Sequence, residues 1–192
     1  MFNQNTLSLM YTVCGIDEAG RGPLAGPVTA AAVILPPDFP FTILDDSKAL
    51  SEKKRYEVLS AILETAVDTG IGWAWPGEID KLNIHYATLL AMKRAYMGLQ
   101  TSVEMVYVDG KFVPDIPVPS KAIVKGDMKI REVQAASILA KTARDRWMIR
   151  YSWIDGRYGF EKHKGYPTKE HRSRCIEEGL SPIHRKSFRI LP

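Results

Sequence analysis

Two cysteines, Cys14 and Cys175, are all that the 192 residues contain. They can build neither a disulfide framework nor a four-cysteine metal site. Cys14 falls in an apolar run and is expected to act as a small buried hydrophobe in a reducing compartment. No stretch approaches the roughly 20 apolar residues of a membrane span. The opening MFNQNTLSLM has neither a basic leader nor a long apolar core, so no secretory signal is expected, and the cytoplasm is the expected address. Internal repeats and low-complexity tracts are absent. So are a GxSxG nucleophile elbow, a Walker phosphate loop and paired zinc-ligand spacing. Neither sign of charge dominates: 26 Lys and Arg stand against 22 Asp and Glu, for a net charge of +4. That balance suits a polyanionic partner without requiring one.

What is present is a mixed α/β pattern. Strands are expected at 11–16, ending at Asp17, and at 27–35, apolar on both faces and therefore central. A third is expected at 70–75, closed by Pro76-Gly77. Two more run over 104–110 and 121–127, ending at Asp109-Gly110 and Gly126-Asp127. Helices are expected after an N-cap at Ser51, over 83–99, over 131–152, and from Thr168 to a stop at Gly179. One domain over 1–192 is expected, with about 155–192 forming a C-terminal substrate-binding segment.

Three of the expected strands end in acids: Asp17 with Glu18, Asp109, and Asp127. In open α/β sheets, functional groups gather at the carboxyl ends of parallel strands. Should these strands be neighbours, four carboxylates would converge. Such a group stays ionised only with help, and hard divalent cations provide it. Each acid alone also fits an ordinary turn, as the Asp-Gly pair at 109–110 illustrates. Gly20-Arg21-Gly22 follows the first acid pair directly. Its glycines allow backbone N–H groups close to a ligand, with Arg21 holding a phosphate or fixing the turn. Ser47 and Lys48 offer a hydroxyl and a cation for a phosphate oxygen. His163, Lys164 and Tyr166, and the HRKSF stretch at 184–188, interleave cations with aromatics in a way that suits nucleic acid. Lys141, Arg144, Asp145 and Arg146 are expected to be structural, with Asp145 pairing a nearby cation.

The stretches GIDEAGRGPLAGPV, DDSKALS, IDKLNIHYATLLAM, VDG, KGD, AASILAKTARDR and HKGYPT…HRKSF resemble those of ribonuclease HII, the prokaryotic type 2 ribonuclease H. They run in family order over nearly the whole chain. The resemblance implies a ribonuclease H-like α/β fold: a five-stranded mixed sheet flanked by helices, with a small helical C-terminal part. It implies cleavage of the RNA strand of RNA–DNA hybrids, and cleavage 5′ of single ribonucleotides in duplex DNA, leaving a 5′-phosphate and a 3′-hydroxyl. The family's metal carboxylates match Asp17, Glu18, Asp109 and Asp127, which would hold two Mg²⁺ or Mn²⁺ ions. Its 2′-hydroxyl-reading element matches Gly20, Arg21 and Gly22. Its junction-sensing tyrosine matches Tyr166, and its phosphate-contacting loop matches Ser47-Lys48. A monomer acting on RNA–DNA hybrids and ribonucleotide-containing DNA, away from membranes, follows. His85-Tyr86, Gln134 and Thr142 depart from the family's commoner residues, and none of them touches the acids.

Three other readings share parts of this pattern. Another metal nuclease of the ribonuclease H-like group would share the acids but need neither Gly20-Arg21-Gly22 nor Tyr166. A non-catalytic binding module would not need the acids. A small-molecule phosphatase would have no use for the basic C-terminal loop.

Overall fold

A computed structural model describes residues 12–44 and 52–189. Ser47, Lys48 and the expected cap Ser51 lie outside the described residues. Five strands form one sheet in the order β3-β2-β1-β4-β5. They are β1 (Val13–Ala19), β2 (Val28–Ile34), β3 (Asp68–Ala74), β4 (Met105–Asp109) and β5 (Ser120–Ile123). β1 runs antiparallel to β2 and parallel to β4, and β4 runs parallel to β5. The three acid-bearing segments are therefore parallel neighbours, as the strand-end argument requires.

Strand β2, VTAAAVI, is buried along its whole length. Its side chains alternate between two layers. Ala30, Ala32 and Ile34 meet α2 (Pro76–Met97) on one face, together with Cys14, Ile16, Val106 and Val108. Ala31 and Val33 meet α1 (Glu52–Thr65) and α3 (Arg131–Ile154) on the other, through Val58, Ile62, Ala136 and Leu139. Cys14 is wholly buried, and burial pushes its thiol up to about 12, so it is an inert core residue as expected. No helix among the described residues is long and apolar enough to cross a membrane.

Three expectations need correction. Strand β1 does not stop before Asp17. Both Asp17 and Glu18 lie inside it, paired with Ala31 and Ala30, and the break comes at Gly20 with φ +94°. Pro76 does not merely close β3 but opens α2. Its missing N–H is no loss in a first helical turn, and the Glu78 carboxylate accepts the Trp75 N–H at 2.9 Å. The helix expected from residue 83 is thus the second limb of a longer one, broken at Asn83, whose φ is +64°. Asn83 Oδ1 caps that limb by accepting the N–H groups of His85 and Tyr86. Finally, β5 ends at Ile123, so Asp127 is not a strand-end residue. Lys125 turns into the left-handed region at φ +58°, and Asp127 sits in a 3-10 turn at Gly126–Met128.

Beyond the sheet, α4 (Phe160–His163) and α5 (Lys169–Glu178) form a small helical segment. Thr168 caps α5 through the His171 N–H, and Gly179 ends it at φ +73°, both as the sequence indicates. The Asp80 carboxylate accepts the N–H groups of Lys186 and Ser187, which fastens this segment to α2.

Candidate metal and nucleic-acid site

The register of β1 against β4 builds the centre of the site. Ile16 lies beside Val108, so one step further Asp17 lies beside Asp109. Side-chain alternation sends both to the α3 face, opposite the α2-facing Ile16 and Val108. Asp127 is brought in by its turn, because the Gly126 N–H donates to Asp109 Oδ1 at 2.6 Å. Asp17 is 6% exposed and accepts the Glu18 N–H at 2.7 Å. Burial holds its carboxyl well above the ordinary aspartate range, and the charges of Glu18, Asp109 and Asp127 push the same way. Burial also raises Glu18, opposed by Arg21, whose Nη1 lies 3.2 Å from Glu18 Oε1.

Of the acids, Glu18 opens into a cleft of about 380 Å³. It is lined by Glu18, Gly20, Arg21, Gly22, Ser137, Lys141 and Tyr166, with Ala19 between the acid and the glycine. Tyr166 is 41% exposed, and a Cβ on Gly22 would lie 3.7 Å from its ring. The structure thus brings Glu18, Gly20, Arg21, Gly22 and Tyr166 into one cleft and sets Asp17, Asp109 and Asp127 near Glu18, with Asp109 lining a neighbouring pocket that Arg21 shares.

The profile of the Ribonuclease HII family matches residues 14–191. The chain belongs to the ribonuclease HII family. It is similar to ribonuclease HII of Treponema denticola, 57% identical over 192 residues, spanning 92% of this chain and 97% of that one. It is also similar to ribonuclease HII of Dechloromonas aromatica, 53% identical over 176 residues, spanning 92% and 90%. Among solved structures it resembles ribonuclease H2 from Pyrococcus horikoshii, with TM-score 0.79 at 25% identity over 93% of this chain and 94% of that one. Ribonuclease HII of Archaeoglobus fulgidus, solved in complex with PCNA, gives 0.73 at 25% identity over 92% and 95%. Ribonucleases HII are endonucleases that hydrolyse RNA in RNA–DNA hybrids, and the family depends on divalent metal.

The donor set of this ribonuclease HII chain fits such an ion. No Lys or Arg forms an ion pair with Asp17 or Asp109 among the described residues. Carboxylate oxygens are the ligands that Mg²⁺ and Mn²⁺ prefer.

Sequence reasoning missed two residues of the cleft. Ser137 and Lys141 project from α3 four residues apart, on one helix face. Lys141 is held by Asp145 at 2.9 Å and lies 5.7 Å from the centre of the Tyr166 ring. The Asp145 pairing agrees with expectation, but the structural role expected for Lys141 does not account for its place in the cleft.

Behind Tyr166, His171, Cys175 and His184 bring three donor atoms within 4.8 Å of one another. A transition metal could use such spacing, yet the main chain decides otherwise. The Ser181 N–H donates to His184 Nδ1 at 2.9 Å, which puts the ring proton on Nε2. That Nε2–H faces His171 Nε2 at 3.0 Å, and His171 Nδ1–H donates to the Tyr166 carbonyl at 2.9 Å. Both rings are therefore neutral links in a chain that ends on the Tyr166 backbone. Burial lowers His171, and it lowers His184 to about 4. His163 stacks on His171 at 4.4 Å, Tyr158 lies edge-on to both rings, and Arg172, Asp155 and Arg157 are the nearby charges. A histidine depressed in the folded state stabilises fully above its unfolded value and loses that contribution as pH falls toward its folded value. For His184 that loss falls between pH 6.5 and about 4. The melting temperature is expected to fall across that interval. A His184→Gln variant, followed by circular dichroism at pH 7 and pH 5, should show a flatter dependence; a slope equal to the parent's would remove His184 as its source.

Proposed function

We propose that this chain hydrolyses the RNA strand of RNA–DNA hybrids and cuts 5′ of single ribonucleotides in duplex DNA, leaving a 3′-hydroxyl and a 5′-phosphate. The observation that carries this reading is the acid cluster of Asp17, Glu18 and Asp109 set beside a cleft in which Glu18 meets the Gly20–Gly22 loop and Tyr166. A plain metal phosphatase has no use for the second half of that arrangement.

Asp17, Glu18, Asp109 and Asp127 are the residues that would hold two divalent cations, Mg²⁺ or Mn²⁺. When bound, these supply the charge that activates a water and offsets the negative charge on the leaving oxygen. The protein's own groups do the selecting and aligning. The loop at 20–22 offers backbone donors to the 2′-oxygen, the group that distinguishes RNA from DNA. Tyr166 lies against that loop and stacks on the sugar of the following deoxynucleotide. Lys141, held by Asp145 at the cleft wall, donates to a phosphate of the bound strand. Water attacks phosphorus in line with the 3′-oxygen; the P–O3′ bond breaks and the 3′-oxygen leaves as a hydroxyl. One chain supplies every residue named, which suits action as a monomer.

Three labelled duplexes test this: all DNA, DNA with one ribonucleotide, and a full RNA–DNA hybrid, each with and without Mg²⁺ or Mn²⁺. Metal-dependent cutting 5′ of the lone ribonucleotide, with all-DNA intact, is expected. Cutting of all-DNA would place the activity in another nuclease class. Tyr166→Ala is expected to lower single-ribonucleotide cleavage by about tenfold, the worth of one stacked ring. Its melting temperature should change little, because the ring is 41% exposed. Unchanged junction kinetics would remove Tyr166 from the substrate contact.

A further inference from the structure

Arg144 and Arg185 are among the largest fully buried side chains, at 1% and 0% exposure. Neither forms an ion pair among the described residues. A buried guanidinium is tolerated only when its donors all find acceptors. Here the acceptors are main-chain carbonyls, and their positions are informative. Arg144 donates to Pro27 O at 2.9 Å, Ala25 O at 3.0 Å and Lys164 O at 3.0 Å. Arg185 donates to Gly26 O at 2.9 Å, Arg21 O at 3.0 Å and Gly20 O at 2.6 Å. The two side chains splint the glycine loop from behind and tie it to the segment that carries Tyr166.

Peptide geometry turns this splint into a statement about donors. No peptide bond here is cis, so the C=O and N–H of each unit point in opposite directions. A carbonyl pulled inward sends the N–H of the next residue outward. Of the splinted units, Gly26 N–H is taken by Ile183 O, Gly165 N–H by His163 Nδ1, and Pro27 has none. Arg21 N–H and Gly22 N–H have no partner among the described residues. These two face the cleft that the same residues line. Gly20 makes room for the arrangement, since a Cβ there would overlap the Arg144 side chain, at a φ of +94° that disfavours any other residue.

We propose that Arg185, backed by Arg144, is a positioning residue for substrate selection. By drawing the Gly20 and Arg21 carbonyls inward, it aims the Arg21 and Gly22 N–H groups at the 2′-oxygen of a bound ribonucleotide. The proposal rests on the functional reading above. It gives the arginine of the HRKSF stretch a role distinct from phosphate attraction, because a fully buried cation contacts no substrate. A lysine cannot replace it, since one ammonium cannot reach three carbonyls in the planar spread of a guanidinium.

The test is Arg185→Lys. Binding of an all-DNA duplex and of the same duplex with one ribonucleotide is followed by fluorescence anisotropy in Ca²⁺, with strand integrity checked on gels. The parent is expected to favour the ribonucleotide duplex by about tenfold, the worth of two hydrogen bonds. The variant is expected to favour it less than about twofold, while its affinity for all-DNA falls by less than about threefold. A retained preference, or a parallel loss of both affinities, overturns the proposal, the latter because it marks a bulk structural role. Amide exchange in the unaltered protein decides the matter should the variant not fold. Arg21 and Gly22 N–H should exchange quickly in the free protein and slow with the ribonucleotide duplex but not with all-DNA. Protection already present without nucleic acid, or equal slowing by both duplexes, overturns it too. A parent without any preference would instead overturn the ribonucleotide reading of the cleft, and the free-protein exchange rates would still judge the splint.

Discussion

Asp17→Asn is expected to abolish cleavage while raising the melting temperature of the metal-free protein. The loss of rate should be on the order of 10³-fold or more, which is what several kcal/mol of transition-state stabilisation amounts to. The gain in stability follows from the same geometry. Asp17 is buried, carries no ion pair among the described residues, and is crowded by Glu18, Asp109 and Asp127. Asparagine keeps the oxygen that accepts the Glu18 N–H and removes the charge that its neighbours oppose. Relief of about 1 kcal/mol would raise the melting temperature by roughly 2–4 °C in a chain of this size. Adding Mg²⁺ at about 100 times its dissociation constant should stabilise the parent by about 2.7 kcal/mol and the variant by much less. Scanning calorimetry of both proteins with and without Mg²⁺ gives the result. Near-parental turnover would remove Asp17 from the metal ligands, and a lower metal-free melting temperature would show that its charge has a partner.

Gly15→Ala is expected to destabilise the fold strongly. Gly15 lies on β1 two residues before Asp17, where the first turn of α3 packs directly on the sheet. A Cβ there would overlap the main chain of Glu132 and Val133. Main chain in the first turn of a 24-residue helix cannot step aside as a flexible side chain can. Overpacking of this kind costs about 3 kcal/mol or more, or roughly 6–12 °C in melting temperature. Activity should fall as well, because displacing α3 disturbs the adjoining turn that holds Asp127. Gly77→Ala is the control: nothing lies within 4 Å of a Cβ at that position, and its melting temperature should stay level or rise slightly. A parental melting temperature for Gly15→Ala would mean that α3 does not seat on β1 there.

The legible parts of this chain were those governed by neighbours in sequence. A run of seven apolar or small residues in β2 speaks for burial on both faces without further information. Acids placed after apolar runs pointed to Asp17 and Asp109, and the parallel pairing of β1 with β4 brought them together. Where sequence pattern and structure differ, a local signal has two meanings. Pro76 ends strands but also begins helices, and the choice was set by Glu78 and Arg94, whose carboxylate–guanidinium pair spans 16 residues. Asp127 looked like another strand end because the left-handed turn at Lys125 is unusual for lysine. Lys141 and Arg144 stand three residues apart on one helix. One lines the cleft and the other is buried behind the glycine loop. Nothing local separates them, since the difference is made by carbonyls more than a hundred residues away.

That distance shapes how the protein is assembled during synthesis. Strand β1 and its glycine loop emerge early, and Asp109 and Asp127 follow. The bond from Arg185 to Gly20 spans 165 residues, so the loop acquires its backing only after the carboxylate centre can already have formed. On the roles proposed above, hydrolytic capacity and discrimination are completed at different moments of the chain's emergence. On those same roles, a product cut short before Arg185 would keep all four acids and lose the Arg185 half of the splint: a chain with its proposed metal-holding groups in place and its proposed means of choosing RNA unfinished.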